Sequence, residues 1–289
     1  MTAWTVAPDT PTPDLVAAVE AVLQKRANQW RKPHTGITAA QRFVVTFDDG
    51  SSAFVKAPTD AATREYSRME HHVLSQLRGE FVPRVLHTSE TLLITEDLSE
   101  AWWPADNPGA DGPVTWKPGQ VEALLVALDR LADAAPELPL PELASGKPPV
   151  WPRIAAEPEA FGVAATLALA LESAEAQLDF AGDAIVHNDV RSDNVCFIGD
   201  RAVLVDWTNA RRGHPAYDRV EIALTYAIEG GPPPWELVPD DAGFPVWHAG
   251  FLLTKAHDLA HVAPDWLVAV MKRCAAIAVA WSERNLSLG

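Results

Sequence analysis

Two cysteines among 289 residues are too few for a disulfide framework. Cys196 stands inside an apolar run and reads as a small core hydrophobe. No apolar stretch approaches the roughly 18 residues that a membrane-spanning helix needs. Met1 to Pro8 carries neither a basic start nor an apolar h-region, so a secretory signal is not expected and a cytoplasmic location is. Basic residues are also scarce, 23 Lys+Arg against 39 Asp+Glu, for a net charge of −16. Such a chain repels nucleic acid and anionic membranes, and neither is expected as a partner. The deficit is uneven: residues 1–100 carry 10 basic against 13 acidic groups, and residues 101–289 carry 13 against 26. The acidic second part would attract a cationic small molecule, or serve only as a solvated surface. What is present, 48% hydrophobic and 21% charged residues, is ordinary for a globular chain long enough for one large domain or two lobes.

Periodicity organises the chain. Leu15, Val16, Val19, Val22 and Leu23 recur at helical spacing and predict a helix over 14–27, with Asp14 as its N-cap. Residues 30–41 read as a loop. Strands are predicted over 42–47 and 52–56 around Asp48-Asp49-Gly50, in a register that sets Lys56 opposite Phe43. A helix follows over 60–77, then strands over 82–87 and 91–95, after which Glu96-Asp97-Leu98 leaves the sheet. Residues 103–119 are rich in proline and glycine. Further helices are predicted over 120–134, 160–180, 217–228, 251–261 and 266–286. Residues 136–152 hold six prolines and read as a loop or insertion.

The most informative segment is His187-Asn188-Asp189-Val190-Arg191-Ser192-Asp193-Asn194, with Asp206-Trp207 beginning twelve residues after Asn194. Short apolar runs over 184–186, 195–198 and 202–205 read as strands, and Gly199-Asp200-Arg201 as the turn between the last two. A hairpin centred on Asp200 would set Asn194 opposite Asp206, offering an amide oxygen and a carboxylate to one hard cation such as Mg2+. Asp189, in the loop entering that hairpin, could take a proton from an attacking hydroxyl. Taken singly, Asp189 could be only a turn former, Asn194 a turn residue and Asp206 a strand-end cap. Their combination at this spacing points to phosphoryl transfer.

The pattern H-x-D-x-x-x-x-N, followed by a strand ending in Asp-Trp, resembles the catalytic signature of the aminoglycoside phosphotransferases, choline kinases and their relatives. The resemblance spans most of the chain, with Phe54-Val55-Lys56 upstream in the expected order. It implies an α+β, bilobal protein-kinase-like fold: a β-rich N-lobe over 1–97 and a mainly helical C-lobe over 98–289. It implies Asp189 as catalytic base, Asn194 and Asp206 as Mg2+ ligands, and Lys56 on the phosphates of ATP or GTP. Glu70 matches the family's E-x-x-x-L-x-x-L helix through Leu74 and Leu77 and is the expected partner of Lys56, with Glu65 the competitor. Glu96, Asp97 and Leu98 would offer hinge backbone to the purine. No G-x-G-x-x-G is present; Gly36 is the only glycine between Trp30 and Gly50, and the loop over 35–41 would approach the phosphates through small residues. Arg191 stands either to stabilise the transferring group or to pair with Asp193 or another carboxylate. His187 and Asp218 are implied to be structural.

The expected reaction moves the γ-phosphate of a nucleoside triphosphate to a hydroxyl of a small, cationic acceptor, an amino sugar or aminoglycoside first. Trp102, Trp103, Trp207 and Trp235 are candidate faces for such a cation. A choline- or ethanolamine-type kinase, another metabolite kinase and a non-catalytic nucleotide-binding protein are the alternatives. A protein kinase is disfavoured, because Asp206-Trp207-Thr208 stands where D-F-G would and no A-P-E follows.

Overall fold

The computed structural model describes residues 8–33, 39–105, 114–134 and 137–288, which pack as two compact units. The first holds 8–138 and 193–210, and the second holds 139–192 and 211–288, within those described residues. The architecture is mixed, with the large sheet in the N-terminal part and most helices in the C-terminal part.

The first unit opens with helix α1 (Pro13–Leu23). Its N-cap is Thr12, whose hydroxyl accepts from the Leu15 amide at 3.4 Å; Asp14 lies within the first turn rather than capping it. Pro13 fits this start because its missing N–H falls where none is needed. The helix stops before Ala27 because Gln24 is left-handed (φ 53°). The chain then forms strand β1 (Ala27–Arg31) within what reads as helix end and loop in the sequence. Strands β2 (Gln41–Phe47) and β3 (Ser52–Ala57) form the expected hairpin, shifted by one residue: Lys56 faces Arg42, and Phe43 faces Val55. The turn is residues 48–50, and Ser51 closes it: its carbonyl accepts from the Phe47 amide at 2.9 Å, while the Asp49 carboxylate accepts from the Ser51 amide at 3.0 Å and hydroxyl at 2.5 Å. Helix α2 (Ala61–Leu74) starts with a reciprocal capping box between Asp60 and Thr63. Strands β4 (Val85–Thr88) and β5 (Leu93–Glu96) complete an antiparallel sheet in the order β1-β2-β3-β5-β4. Phe43, Val45, Ala53, Val55 and Ile94 are buried with Leu15 and Val19 of α1. Helix α3 (Gln120–Ala132) buries Leu124, Leu128 and Leu131.

In the second unit, a 3-10 turn over Leu143–Gly146 and helix α4 (Trp151–Ala156) lie within the proline-rich stretch. Helix α5 (Ala165–Glu175) is shorter than the expected 160–180, because Gly162 at φ 68° closes a separate 3-10 turn before it. The three-residue strand β6 (Ala184–Val186) follows.

The chain returns to the first unit for the hairpin of β7 (Val195–Ile198) and β8 (Arg201–Leu204). Its loop has two residues, with Gly199 at φ 59° in the first central position, where only a residue tolerant of positive φ fits. The hairpin is anchored by paired backbone bonds between Trp102 and Phe197 and by the Leu204 amide on the Phe81 carbonyl. Leu98, Cys196 and Val203 are buried together.

Back in the second unit, strand β9 (Arg211–Gly213) pairs antiparallel with β6 and was not legible as a strand. Helix α6 (Ala216–Ile228), the short helix α7 (Pro234–Leu237), helix α8 (Phe244–Asp258) and helix α9 (Asp265–Leu288) follow. Helix α8 begins seven residues earlier than expected, because Pro245 sits in its first turn, where proline is tolerated. Trp151, Tyr217, Phe244, Trp247 and Trp281 fill this core.

The β6–β9 pair presents the loop at 187–192, and its packing leaves no room for a side chain at Gly213. A Cβ there would lie 2.5 Å from Leu143 Cβ and 2.9 Å from the Phe180 carbonyl. Gly213→Ala is expected to cost about 1–3 kcal/mol in urea denaturation, because the close neighbours include backbone. An unchanged midpoint would show that the β6–β9 edge gives way freely.

Candidate active site

Two clusters of charged side chains are built, one in each unit. In the first, β3 carries Lys56 inward and α2 carries Glu70 to meet it. Nζ lies 2.7 Å from Glu70 Oε2 and 3.0 Å from Asp206 Oδ1. Lys56 is 6% exposed and Glu70 3%. Burial opposes the ammonium, but Asp206 and Glu70 outweigh it and hold its pKa above the ordinary lysine value. Glu65 pairs instead with Arg68 at 2.9 Å on the exposed face of α2. Arg42, directly across the β2–β3 ladder from Lys56, is also buried. Burial lowers its pKa, and attraction to Asp206 and Glu70 offsets part of that loss. Sequence reasoning missed Arg42; the corrected hairpin register was the signal that would have found it.

Asp206 follows β8 in a left-handed conformation (φ 64°) and opens the 3-10 turn Trp207–Asn209, which lies against α2. That placement brings it within reach of Lys56. The β7–β8 register corrects the expected pairing. Asn194 faces Val205, whose amide donates to the Asn194 carbonyl at 3.0 Å, and Asp206 lies one residue past the ladder. The difference follows from a two-residue rather than three-residue turn. Asn194 is 5% exposed, and the Asp206 side chain is 34% exposed. An amide oxygen and a carboxylate are hard donors of the kind Mg2+ accepts. Among the described residues, no three or more His, Cys, Asp or Glu side chains cluster to cage a metal unaided.

Glu96 ends β5 within the sheet. Its amide donates to the Arg84 carbonyl, its carboxylate accepts from the Arg84 amide at 2.8 Å, and Arg201 lies 3.4 Å away. Asp97 is tied to Ser99, and the Leu98 carbonyl accepts from Trp103 Nε1 at 3.0 Å. Gly36, with residues 34–38, lies outside the described residues.

In the second unit, the loop at 187–192 is held by α6 from beneath. Asp218 accepts from the His187 amide at 2.6 Å and the Asn188 amide at 2.8 Å. Glu221 accepts from the Val190 amide at 2.7 Å. Asn188 is left-handed (φ 60°), which asparagine tolerates better than most residues. Asp189 thus projects from a loop whose flanking amides are fixed. Arg191 Nε lies 3.2 Å from Asp189 Oδ1, so the guanidinium contacts the expected base itself. Burial pushes Asp218 above the ordinary carboxylate range. Burial, with Asp189 and Asp218 nearby, pushes Glu221 to about 8. Neither Glu221 nor the nearby Lys147 was singled out in the sequence. The four tryptophans suggested for a cation are otherwise engaged: Trp207 is buried in the core, Lys117 sits 3.7 Å from the Trp102 ring, Trp103 donates to Leu98 and Arg284 lies 5.5 Å from the Trp235 ring.

Residues 30–250 match the family model described as the phosphotransferase enzyme family (APH). The comparison with curated proteins found no significant match. Among solved structures, the chain is similar to a macrolide 2'-phosphotransferase type I, at 18% identity and TM-score 0.59, covering 92% of this chain and 98% of that one. It is similar to the choline kinase LicA from Streptococcus pneumoniae at 11% identity and TM-score 0.62, with the same coverage, 92% and 98%. A thermostable mutant of aminoglycoside phosphotransferase APH(4)-Ia, in ternary complex with ADP and hygromycin B, is 16% identical with TM-score 0.58, again over 92% and 98%. These likenesses establish a kinase-like fold.

The buried Lys56 pair gives a direct test of geometry. Glu70→Ala is expected to destabilise by about 3 kcal/mol, because it leaves a buried charge short of a partner. Glu65→Ala, at an exposed pair, is expected to cost under about 0.5 kcal/mol. Denaturant titration compares them, and equal losses would mean that α2 does not supply the partner through Glu70.

Proposed function

The chain belongs to the phosphotransferase enzyme family, and from that premise we propose that it moves the γ-phosphate of ATP or GTP to a hydroxyl of a small cationic acceptor, an amino sugar or aminoglycoside first. It is a small-molecule kinase acting on hydroxyl acceptors. The observation that carries the finer reading is the ammonium of Lys56, buried between Glu70 and Asp206. A lysine so placed is poised to exchange one carboxylate contact for phosphate oxygens.

On this reading the acceptor hydroxyl attacks the γ-phosphorus while Asp189 takes its proton. The bond to the β–γ bridging oxygen breaks, and the nucleoside diphosphate leaves. Lys56, steadied by Glu70, binds the donor's phosphates, and Arg42 adds positive charge beside it. Asn194 and Asp206 would hold Mg2+, which would neutralise phosphate charge. Arg191 steadies Asp189 and offers charge to the transferring group. The backbone of residues 96–98, from Glu96 to Leu98, faces the purine. The titratable demand on the protein is small, since phosphoryl transfer rests on positioning and charge neutralisation.

The cationic acceptor rests on the acidic balance of residues 101–289. Neighbours of this fold include one whose structure holds hygromycin B and one described as a choline kinase. A library of hydroxylated amines, sugars and neutral alcohols, assayed by ADP and GDP release, tests the reading. Amino sugars are expected to stimulate release, EDTA to abolish it, and Asp189→Ala to lower kcat by about 10²–10⁴ with little change in nucleotide KM. Undiminished turnover in Asp189→Ala would remove it as base. Silence across the amines with stimulation by neutral acceptors would overturn the cationic class.

A further inference from the structure

The proline-rich stretch read as an insertion contributes a residue to the catalytic loop. We propose that Lys147 is a positioning residue for Asp189, fixing the turn at Asn188 and adding positive charge to the surrounding carboxylates. The proposal rests on Asp189 as the base, as set out above. Lys147 follows the 3-10 turn Leu143–Gly146 and precedes Pro148-Pro149. Its backbone is pinned on both sides: Leu143 is in the core, Pro148 accepts from Trp247 Nε1 at 3.1 Å, and Glu175 accepts from the Val150 and Trp151 amides at 3.0 Å. From that rigid base Nζ donates to Asn188 Oδ1 at 2.7 Å and to the Tyr217 hydroxyl. It lies 4.2 Å from the Tyr217 ring centroid and 4.3 Å from that of Trp247. Two aromatic faces and an amide thus hold one ammonium.

The bond to Asn188 acts on the residue before Asp189. Asn188 pays for its left-handed backbone, and the amide side chain, once fixed by Lys147, holds that turn in place. With His187, Asn188 and Val190 amides bound to α6, the loop is clamped from its backbone and from one side chain.

The charge argument is independent. Lys147 faces Asp189 in the loop, Asp218 and Glu221 on α6, Arg211 on β9, and His248 on α8. Burial lowers Lys147 to about 8, with Glu221, Asp218 and Asp189 opposing the fall. His248, buried and beside that ammonium, is pushed down to about 3 and stays neutral. The ammonium offsets the mutual repulsion of these carboxylates. Loss of that ammonium above about pH 8 defines an alkaline limit on the rate.

Lys147→Met and Lys147→Arg, made in the full chain, separate positioning from packing. For Lys147→Met, kcat is expected to fall about 10–100-fold with nucleotide KM nearly unchanged, and the acidic limb of the kcat profile to move to higher pH. Lys147→Arg is expected to recover most of the rate and to carry the alkaline limb upward, because guanidinium does not titrate there. Should Lys147→Met melt at a much lower temperature, Asn188→Ala tests the same bond from its other end: a fall in kcat of similar size supports the inference, and an undiminished rate overturns it. A Lys147→Met enzyme with wild-type kcat and pH profile overturns the inference while leaving the proposed function intact. If the wild type turns over no donor with any acceptor, the function fails instead. Hydrogen exchange at 187–190 then decides on the clamp: faster exchange in Lys147→Met but not Lys147→Arg supports it, and no difference overturns it.

Discussion

A buried charge must be paired, and the charged cluster in each unit is organised by that requirement. Lys56 can be carried into the interior of the first unit only because Glu70 and Asp206 meet it. The elements that deliver these groups are therefore constrained together. Strand β3 must keep its register, α2 must begin at its Asp60 cap so that Glu70 points inward, and the chain after β8 must turn left-handed at Asp206. A slip in any of them would leave an ammonium or a carboxylate dry and unpartnered, at a cost comparable to a large share of a domain's total stability.

The second unit solves the inverse problem. There carboxylates are buried, and most of their partners are backbone amides. Asp218 takes two N–H groups of the loop and Glu221 a third. These bonds satisfy donors that a tight turn would otherwise strand, so the acids and the loop stabilise each other. The arrangement is strained electrostatically, as the upward displacement of Asp218 and Glu221 indicates. Groups with displaced ionisation concentrate where chemistry needs proton transfer, which is the role proposed for Asp189 beside them.

The sequence made the order of elements and the acidic-amide signature at 187–206 legible, because both are local patterns. Glu70 was separable from Glu65 by the apolar positions that follow it, and the 2.7 Å contact to Lys56 agrees with that choice. What failed were registers. Each hairpin was off by one residue because its turn was read one residue too long: Ser51 and Arg201 counted as loop, whereas Ser51 lies opposite Phe47 and Arg201 pairs with Ile198. The error hid Arg42, which a one-residue shift places across from Lys56. Strand β9 escaped because Arg211-Arg212-Gly213 has no apolar alternation; its pairing with β6 is a tertiary fact. The packing of the 195–204 hairpin with the N-terminal residues was likewise invisible, since chain order carries no record of which distant segment buries Cys196 and Val203. Lys147 lay in a proline-rich stretch whose composition reads as loop, and only the fold brings it to Asn188.

Charge totals need the same correction. Residues 101–289 carry twice as many acidic as basic groups, yet several of those acids already have work. Glu175 binds the amides that open α4, Asp218 and Glu221 bind the loop at 187–192, and Asp258 pairs with Arg153 at 2.7 Å. The aromatic faces of Tyr217 and Trp247, which would suit an amine, hold the chain's own ammonium at Lys147. A cationic acceptor must therefore draw its attraction from the long-range field of the acidic surface and from side chains outside this cluster, because a second ammonium beside Lys147 would meet repulsion at short range. On the proposed reading, an amino sugar would be favoured over a compact quaternary amine. A broad, multiply hydroxylated amine can place a hydroxyl near Asp189 while keeping its charges several ångströms away. A small cation has no such freedom, since its charge and its hydroxyl arrive together.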